Sequence, residues 1–179
     1  MKNYYTQGEY KELLKHICIV GTTNEQKNDH IKAFFDKKKI CFEERSLKVG
    51  DYCFKINACA DLGFNVDTYF TDELFIERKN SLEELASSIN NEAFHYELKR
   101  SQLIANKYLL IEQKETQVHG WDDILNHNYS NNYNEKSFWT TLHTFEVRYD
   151  LKIKFIPKDK MGLAIYTICK SVLDSKILK

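Results

Sequence analysis

The stretch that most constrains this chain is an apolar run followed at once by three charged residues and a helix start, within residues 70–85. Residues 73–79 read ELFIERK, and the contiguous apolar residues inside that run are typical of a strand covered on both faces. Ser81 then stands three residues before Glu84, a pair that predicts a capping box at a helix N-terminus. A buried strand that leads directly into a helix is typical of an α/β protein.

The rest of the sequence predicts a mixed β-sheet flanked by helices. Further strands are expected at 16–21, at two positions within 40–56 on either side of Gly50, at 107–113 and at 151–156. Helices are expected after Thr23 or Asn24, from Ser81, around Phe94 and Leu98, at 136–150 and at 161–178. We therefore expect one α/β domain over residues 16–179, preceded at 1–15 by an extension that is a short amphipathic helix or a frayed segment.

Composition and charge exclude several classes of protein. The chain has 179 residues, 42% of them hydrophobic, which allows one full core and argues against disorder. Its formal net charge is zero, so any nucleic acid would have to be bound by local basic patches. No apolar run approaches the length of a membrane span, and the polar N-terminus, which contains acids, is unlike a signal peptide. We expect a cytoplasmic protein without membrane association.

Cysteine and histidine patterns give no metal site. The five cysteines are odd in number and form no CxxC pair, so buried free thiols in a reducing compartment are favoured over disulfides or zinc. The six histidines are scattered and show no metal-ligand spacing.

One carboxylate and one lysine at the end of the central strand are candidates for chemistry. Glu77 and Lys79 are two residues apart, so on a strand their side chains point to the same face. Asp51, directly after Gly50, is a second candidate acid. Two acids and an ammonium group suit a metal-dependent hydrolase acting on a phosphodiester. Taken singly, each residue has a simpler explanation, such as a glycine turn or a solvated strand end.

The spacing of these residues resembles the signature of the XPF nuclease family. That signature is GD, a spacer, ERK, three residues and Asp; here it stands as Gly50–Asp51, then residues 77–79, then Glu83 in place of Asp. The likeness extends over roughly residues 16–175 and includes small members from phages and mobile elements. It implies a restriction-endonuclease-like α/β fold with a PD-(D/E)xK site.

The resemblance also implies roles for individual residues. Asp51 and Glu77 would hold Mg²⁺ or Mn²⁺, with the Arg78 carbonyl as a candidate third ligand. Lys79 would orient the attacking water and neutralise developing charge. The Arg78 side chain would grip phosphate or support the site, and Glu83 would lie beside it at the helix start. Two further acids, Glu25 and Glu112, are expected to support the centre, Glu112 because it ends a central strand.

The first strand departs from the family pattern. Family members usually carry Asp-x-Arg-Glu at its end, whereas this chain has Thr22, Thr23, Asn24 and Glu25. Only the glutamate survives, so a metal ligand or orienting group and a phosphate contact are missing. The change is expected to lower activity or shift the metal preference.

The resemblance therefore implies a structure-specific DNA endonuclease that cleaves branched or flapped DNA in repair or recombination. The alternatives are a catalytically weak or inactive DNA-binding partner subunit of the same fold, and a Holliday-junction resolvase or restriction-type nuclease. The resemblance allows a homodimer and a bacterial, phage or mobile-element origin. The basic side chains expected to track DNA are Lys99, Arg100, Lys107, Lys152 and Lys154.

Overall fold

The computed structural model describes residue 2, residues 4–113 and residues 135–177. The strands are β1 (Ile17–Gly21), β2 (Cys41–Glu44), β3 (Tyr52–Ile56), β4 (Thr68–Tyr69), β5 (Leu74–Lys79), β6 (Asn106–Gln113) and β7 (Lys152–Pro157). The helices are α1 (Gln7–Leu14), α2 (Asp29–Lys38), α3 (Leu82–Ser88), α4 (Glu92–Arg100), α5 (Glu135–Tyr149) and α6 (Met161–Ile177). Short 3₁₀ turns lie at Ala60–Leu62, Ser101–Leu103 and Lys158–Lys160.

These strands form one mixed sheet in the order β2-β1-β3-β5-β6-β7, with β4 added to β3. β1 and β2 are parallel, β3 is antiparallel to both β1 and β5, and β5, β6 and β7 are parallel. The register of β3 on β5 joins Tyr52 to Ile76. The sheet therefore has two halves that meet at a short antiparallel contact, just before the charged end of β5.

A hydrophobic cluster covers each face of the sheet. One contains the buried side chains of α1, α2 and α6, together with Leu74 and Ile76 of β5. The other contains those of α3, α4 and α5, together with Phe75. Because side chains alternate along a strand, β5 contributes to both clusters, as its contiguous apolar run predicted.

The segment before α2 corrects one sequence expectation. The helix begins at Asp29 with Asn28 as its N-cap, not after Thr23 or Asn24. Lys27 adopts a left-handed backbone conformation with φ of 55°, which a continuing helix cannot contain. Residues 22–28 are therefore a loop that borders β5.

Three other local expectations are refined. Ser81 does cap α3, its Oγ accepting the backbone N–H of Glu84 at 3.1 Å, but the Glu84 carboxylate accepts the N–H of Asn80 instead of completing a capping box. Residues 40–56 do form two strands, although β1 lies between them. At the N-terminus the helical alternative is the one formed: Leu13 of α1 is fully buried, and the Tyr5 hydroxyl donates to the Leu62 carbonyl at 2.9 Å.

The expectation that all cysteines are free is wrong. Cys18 of β1 and Cys41 of β2 form a disulfide. They are direct partners in the register of these parallel strands, so the sheet itself brings them together. Cys53, Cys59 and Cys169 are free thiols. In the described part of the chain, no helix has the length and apolar character needed to cross a membrane.

Candidate active site

Strand alternation divides the three charged residues at the end of β5 between the two faces of the sheet. Glu77 and Lys79 follow the direction of Phe75 toward α3 and α4, and Arg78 follows Ile76 toward α2. All three are almost fully buried, with 3–8% of their surface exposed. The predicted shared face of Glu77 and Lys79 is confirmed, and the simpler explanation of a solvated strand end is wrong.

Glu77 and Lys79 form a buried ion pair. Lys79 Nζ donates to Glu77 Oε1 at 2.6 Å and lies 4.7 Å from the centre of the Phe94 ring on α4. Burial lowers the pKa of Lys79, but the adjacent Glu77 carboxylate outweighs burial and the net shift is upward. The charges of Asp51 and Glu84 raise the pKa of Lys79 further. The second carboxylate oxygen, Glu77 Oε2, is buried and has no hydrogen-bond partner among the described residues.

Asp51 is held against β5 through backbone contacts. Its N–H donates to the Ile76 carbonyl at 2.7 Å, and its side-chain Oδ2 accepts the backbone N–H of Arg78 at 2.7 Å. The residue before it must be glycine: Gly50 has φ of +75°, and an added Cβ would lie 3.0 Å from the Ile76 carbonyl oxygen. The Gly50–Asp51 pair therefore sets the position of this acid instead of forming an ordinary surface turn.

Electrostatics at the two acids favours binding of a proton or a cation. Burial, followed by the charge of Glu25, raises the pKa of Asp51 to about 7. Burial, followed by the charge of Asp51, raises the pKa of Glu77 to about 8. The negative charges of Glu25 and Glu97 oppose ionisation of Asp51, and those of Asp51 and Glu97 oppose ionisation of Glu77. The single positive charge of Lys79 does not offset them.

Glu97 on α4 is a site residue that the sequence did not single out for chemistry. Its Oε1 accepts the N–H of Gly50 at 2.8 Å, and its charge raises the pKa values of both Asp51 and Glu77, after larger effects of burial and other charges. The sequence places it on the polar side of α4. Since α4 packs against the site only after folding, local spacing carries no signal for this contact.

On the opposite face, the Arg78 side chain makes four hydrogen bonds to other residues of the protein. Its Nε donates to Glu112 Oε1 at 2.9 Å, its Nη1 forms an ion pair with Glu25, and its Nη2 donates to the Lys27 carbonyl at 3.0 Å. A further bond reaches the Gln26 carbonyl at 3.3 Å. Of the two roles considered for Arg78, these contacts favour support of the site over a grip on phosphate.

The acids expected to support the site are brought to it. Glu25 contacts Arg78 from the loop before α2, and burial outweighs the arginine so that the pKa of Glu25 is raised. Glu112 contacts Arg78 from β6 and also lies 2.6 Å from His30 Nε2 on α2. No local pattern in the sequence pointed to His30, which stands 82 residues from Glu112. Glu83 lies in the first turn of α3, and its side chain is outside the described part of the structure.

The residues expected to track DNA do not form one group. Lys99 and Arg100 are exposed at the end of α4, and Lys152 and Lys154 are exposed on β7, beside the Tyr108 ring. Lys107 is wrong for this role: it is 4% exposed, and its Nζ donates to the Ile104 carbonyl at 2.7 Å. It stabilises the start of β6 from inside.

The donor set fits a hard divalent cation. Asp51 and Glu77 supply carboxylate oxygens, including the unpartnered Oε2 of Glu77. The Arg78 carbonyl lies on the same strand edge as the Arg78 N–H that Asp51 accepts, since both groups of one strand residue point to the same side. Among the described residues, no three His, Cys, Asp or Glu side chains form a ready metal site. Two carboxylates with water and substrate oxygens are, however, an ordinary way to bind Mg²⁺.

Comparisons with known proteins agree with this geometry. The model of the ERCC4 domain family matches residues 22–165. Two solved structures of similar fold are XPF from Aeropyrum pernix and the same protein in complex with DNA, each 13% identical to this chain, with TM-scores of 0.61 and 0.57. The matches cover 86% and 88% of this chain but 60% and 64% of those chains, so this chain spans less than two thirds of their length. No curated protein matches the sequence. The predicted restriction-endonuclease-like fold, a mixed sheet flanked by helices, is confirmed.

Proposed function

This chain belongs to the ERCC4 domain family, as its resemblance to XPF nucleases predicted, and from that premise we propose that it is a metal-dependent endonuclease that cleaves branched or flapped DNA. The observation that carries the proposal is the convergence of Asp51, Glu77 and Lys79. Glu77 and Lys79 are in contact, and Asp51 is joined to the residue between them by a hydrogen bond. Acids with strongly raised pKa values are typical of catalytic centres.

The proposed mechanism assigns a role to each of these residues. Asp51, Glu77 and the Arg78 carbonyl would hold Mg²⁺ or Mn²⁺. When bound, the metal would stabilise negative charge on the phosphate oxygens and lower the pKa of a bound water. Lys79, fixed by Glu77, would orient the attacking water and stabilise the negative charge that develops on the phosphate. The water oxygen would attack phosphorus as the bond to the 3′ oxygen breaks; the water would lose a proton to solvent, and the leaving 3′ oxygen would take one up from solvent. The products are a 3′-hydroxyl and a 5′-phosphate.

DNA as the substrate rests on the family and on exposed basic side chains. One of the two solved structures of similar fold is a complex with DNA. Lys99, Arg100, Lys152 and Lys154 are exposed and available for phosphate contacts. The proposal has further parts. The enzyme would prefer branched or flapped substrates and act in repair or recombination. It would form a homodimer or pair with a partner subunit, and it would be a cytoplasmic protein of bacterial, phage or mobile-element origin.

A second candidate is a weakly active or inactive DNA-binding subunit. The residue that follows β1 favours it. Thr22, which stands where the family has Asp, is 7% exposed, and its N–H donates to the Asp51 carbonyl at 2.7 Å. A third carboxylate is therefore missing directly beside Asp51. The intact set of Asp51, Glu77 and Lys79 supports the active enzyme. Acids with strongly raised pKa values are expected at a catalytic centre and are not needed in a subunit that only binds DNA.

The test is cleavage of single-strand, flap, fork and four-way DNA with Mn²⁺ or Mg²⁺ by the wild type, Glu77→Gln and Lys79→Ala. We expect both variants to lose cleavage while retaining cooperative melting. Glu12→Gln and Lys11→Ala, which change the same residue types on the exposed surface of α1, are matched controls with unchanged cleavage. Equal cleavage by wild type and both site variants would refute the nuclease proposal. A folded wild type that binds DNA but cleaves none of these substrates would favour the binding subunit, whereas cleavage confined to four-way or intact duplex DNA would favour a resolvase or restriction-type enzyme.

A further inference from the structure

We propose that His30 is a positioning residue for this active site, acting through Glu112 and Arg78 on the carboxylate of Asp51. The inference rests on the proposed nuclease function, and it adds a residue outside the motif. It depends on a continuous chain of contacts from α2 to β6, from β6 to β5, and from β5 to Asp51, the residue directly before β3.

The first contact joins α2 to the sheet. His30 Nε2 donates to Glu112 Oε1 at 2.6 Å, with 22% of the histidine side chain and 3% of the glutamate side chain exposed. Glu112 is the penultimate residue of β6 and faces α2, as Leu110 does. A buried carboxylate needs its hydrogen bonds, so the histidine fixes one end of this chain of contacts.

The second contact joins β6 to β5. The same oxygen, Glu112 Oε1, also accepts Arg78 Nε at 2.9 Å. Because one oxygen accepts both donors, His30 and Arg78 hold the carboxylate from two directions. Loss of His30 leaves Glu112 with a single strong partner, and the carboxylate can then rotate or draw water toward the arginine.

The third contact reaches the catalytic face without any intervening residue. Arg78 binds Glu112 and Glu25 with its side chain and donates its backbone N–H to Asp51 Oδ2 at 2.7 Å. A shift of the guanidinium therefore moves the strand end whose backbone orients Asp51. Arg78 faces two carboxylates, and the N–H of His30 gives one of them a second hydrogen-bond donor.

Position excludes a direct chemical role for His30. It lies on the α2 face of the sheet with Arg78 and Glu112, whereas Glu77 and Lys79 point to the α3 and α4 face. The sheet thus separates its ring from the reacting groups. His30 is a positioning residue and not a catalytic residue.

The experiment compares His30→Ala with His30→Gln, since the glutamine amide supplies an N–H donor of similar reach. His143→Ala is the matched control, because His143 also pairs with a glutamate, Glu146, at 3.0 Å but on the exposed surface of α5. For His30→Ala we expect kcat for flap cleavage to fall about tenfold, with KM for DNA unchanged, and Mn²⁺ affinity by calorimetry to fall about tenfold. His30→Gln and His143→Ala should both remain within about twofold of wild type, a range well below that tenfold effect.

A spectroscopic readout separates failure of this proposal from failure of the nuclease assignment. The Nε–Hε resonance of Arg78 reports its bond to Glu112 whether or not the protein cleaves DNA, and we expect it to move in His30→Ala and return in His30→Gln. An unmoved resonance with unchanged Mn²⁺ affinity in His30→Ala would overturn the proposal. So would equal loss of Mn²⁺ affinity in the alanine and glutamine variants. If His30→Ala does not fold, wild-type Mn²⁺ affinity and an unmoved Arg78 resonance in His30→Gln support the role of the donor, and their loss overturns it.

Discussion

Arg78 and Asp51 are joined through the arginine's main chain: the Arg78 N–H donates to Asp51 Oδ2 at 2.7 Å, while the guanidinium binds acids on the other side of the sheet. One residue therefore serves both faces. Asp51 of the Gly50–Asp51 pair is oriented by the strand that carries Glu77 and Lys79. This coupling leads to predictions about stability as well as about catalysis.

Replacing Arg78 by methionine should destabilise the fold strongly. The change keeps most of the side-chain volume but leaves Glu25 and Glu112 buried without their shared cation. Breaking a buried ion pair from one side costs about 3–5 kcal/mol in the free energy of unfolding. Urea denaturation near neutral pH measures the loss. Arg148→Met, on the exposed surface of α5, is the control; a loss at Arg78 no larger than at Arg148 would contradict the prediction.

Metal binding should strengthen as pH rises from about 6 to 8. The pKa of Asp51 is raised to about 7 and that of Glu77 to about 8, so a metal must displace protons below these values. The surrounding charges are Glu25, Glu97 and Lys79. Mn²⁺ calorimetry at several pH values measures the change, and a pH-independent affinity would contradict it.

The same shifts fix the sign of stability against pH in the metal-free protein. Folded-state pKa values above the ordinary values of 3.8 and 4.5 mean that the folded state binds more protons than the unfolded state between about pH 4 and 8. These acids therefore contribute stability at low pH that is lost as pH rises through 7 and 8. Melting temperature should fall over that interval in wild type and change less in the Asp51→Asn, Glu77→Gln double variant.

The exposed lysines of β7 and the buried lysine of β6 should behave differently toward DNA. Replacing Lys152 and Lys154 by alanine should weaken DNA binding and reduce the salt dependence of log K by about one for each lost phosphate contact. Lys107→Met should leave that slope unchanged, because its ammonium bonds the Ile104 carbonyl. Fluorescence titrations at several salt concentrations test both statements; equal slopes in all variants would show that DNA lies elsewhere.

Introducing an acid at position 22 should improve function with magnesium. Thr22 lies directly beside Asp51 and is almost fully buried, so Thr22→Asp adds a third carboxylate to the donor set. Cleavage supported by Mg²⁺ should rise relative to Mn²⁺. Thr23→Asp adds the same charge at an exposed neighbouring position and should change neither. An unchanged metal profile in Thr22→Asp would indicate that Glu25 or another group already fills that role.

Thiol titration tests the disulfide. With Cys18 and Cys41 joined, the denatured, unreduced protein should present three reactive thiols, those of Cys53, Cys59 and Cys169. Closing a loop of 23 residues should stabilise the fold by about 3 kcal/mol, measured as the loss in Cys41→Ser. A count of five thiols in protein purified without reductant would contradict the pairing.

Local sequence was sufficient where the deciding interaction is short in range. The strand at 74–79 and the helix after Ser81 follow from an apolar run and a capping residue. The shared face of Glu77 and Lys79 follows from the two-residue period of a strand. Asp51 could be placed only through the family resemblance, because its contact with β5 depends on a glycine conformation that the sequence alone does not reveal.

Long-range contacts account for what the sequence did not predict. Lys107 resembles a surface cation until β6 is placed inside the sheet, with strands on both sides and helices over it. Cys18 and Cys41 meet only because β1 and β2 pair in one register. His30 and Glu112 are brought together by packing of α2 on the sheet, which leaves no periodic signal in either segment.

The four hydrogen bonds of the Arg78 guanidinium change how the Glu-Arg-Lys signature should be interpreted in other chains. We expect the arginine to be retained wherever the fold is retained, including in relatives that no longer cleave a phosphodiester, because its removal destabilises the fold. The residues at the positions of Glu77 and Lys79 would then indicate whether a relative is catalytically active. A relative that keeps its arginine but has lost the flanking glutamate and lysine would be a scaffold without an enzyme's function.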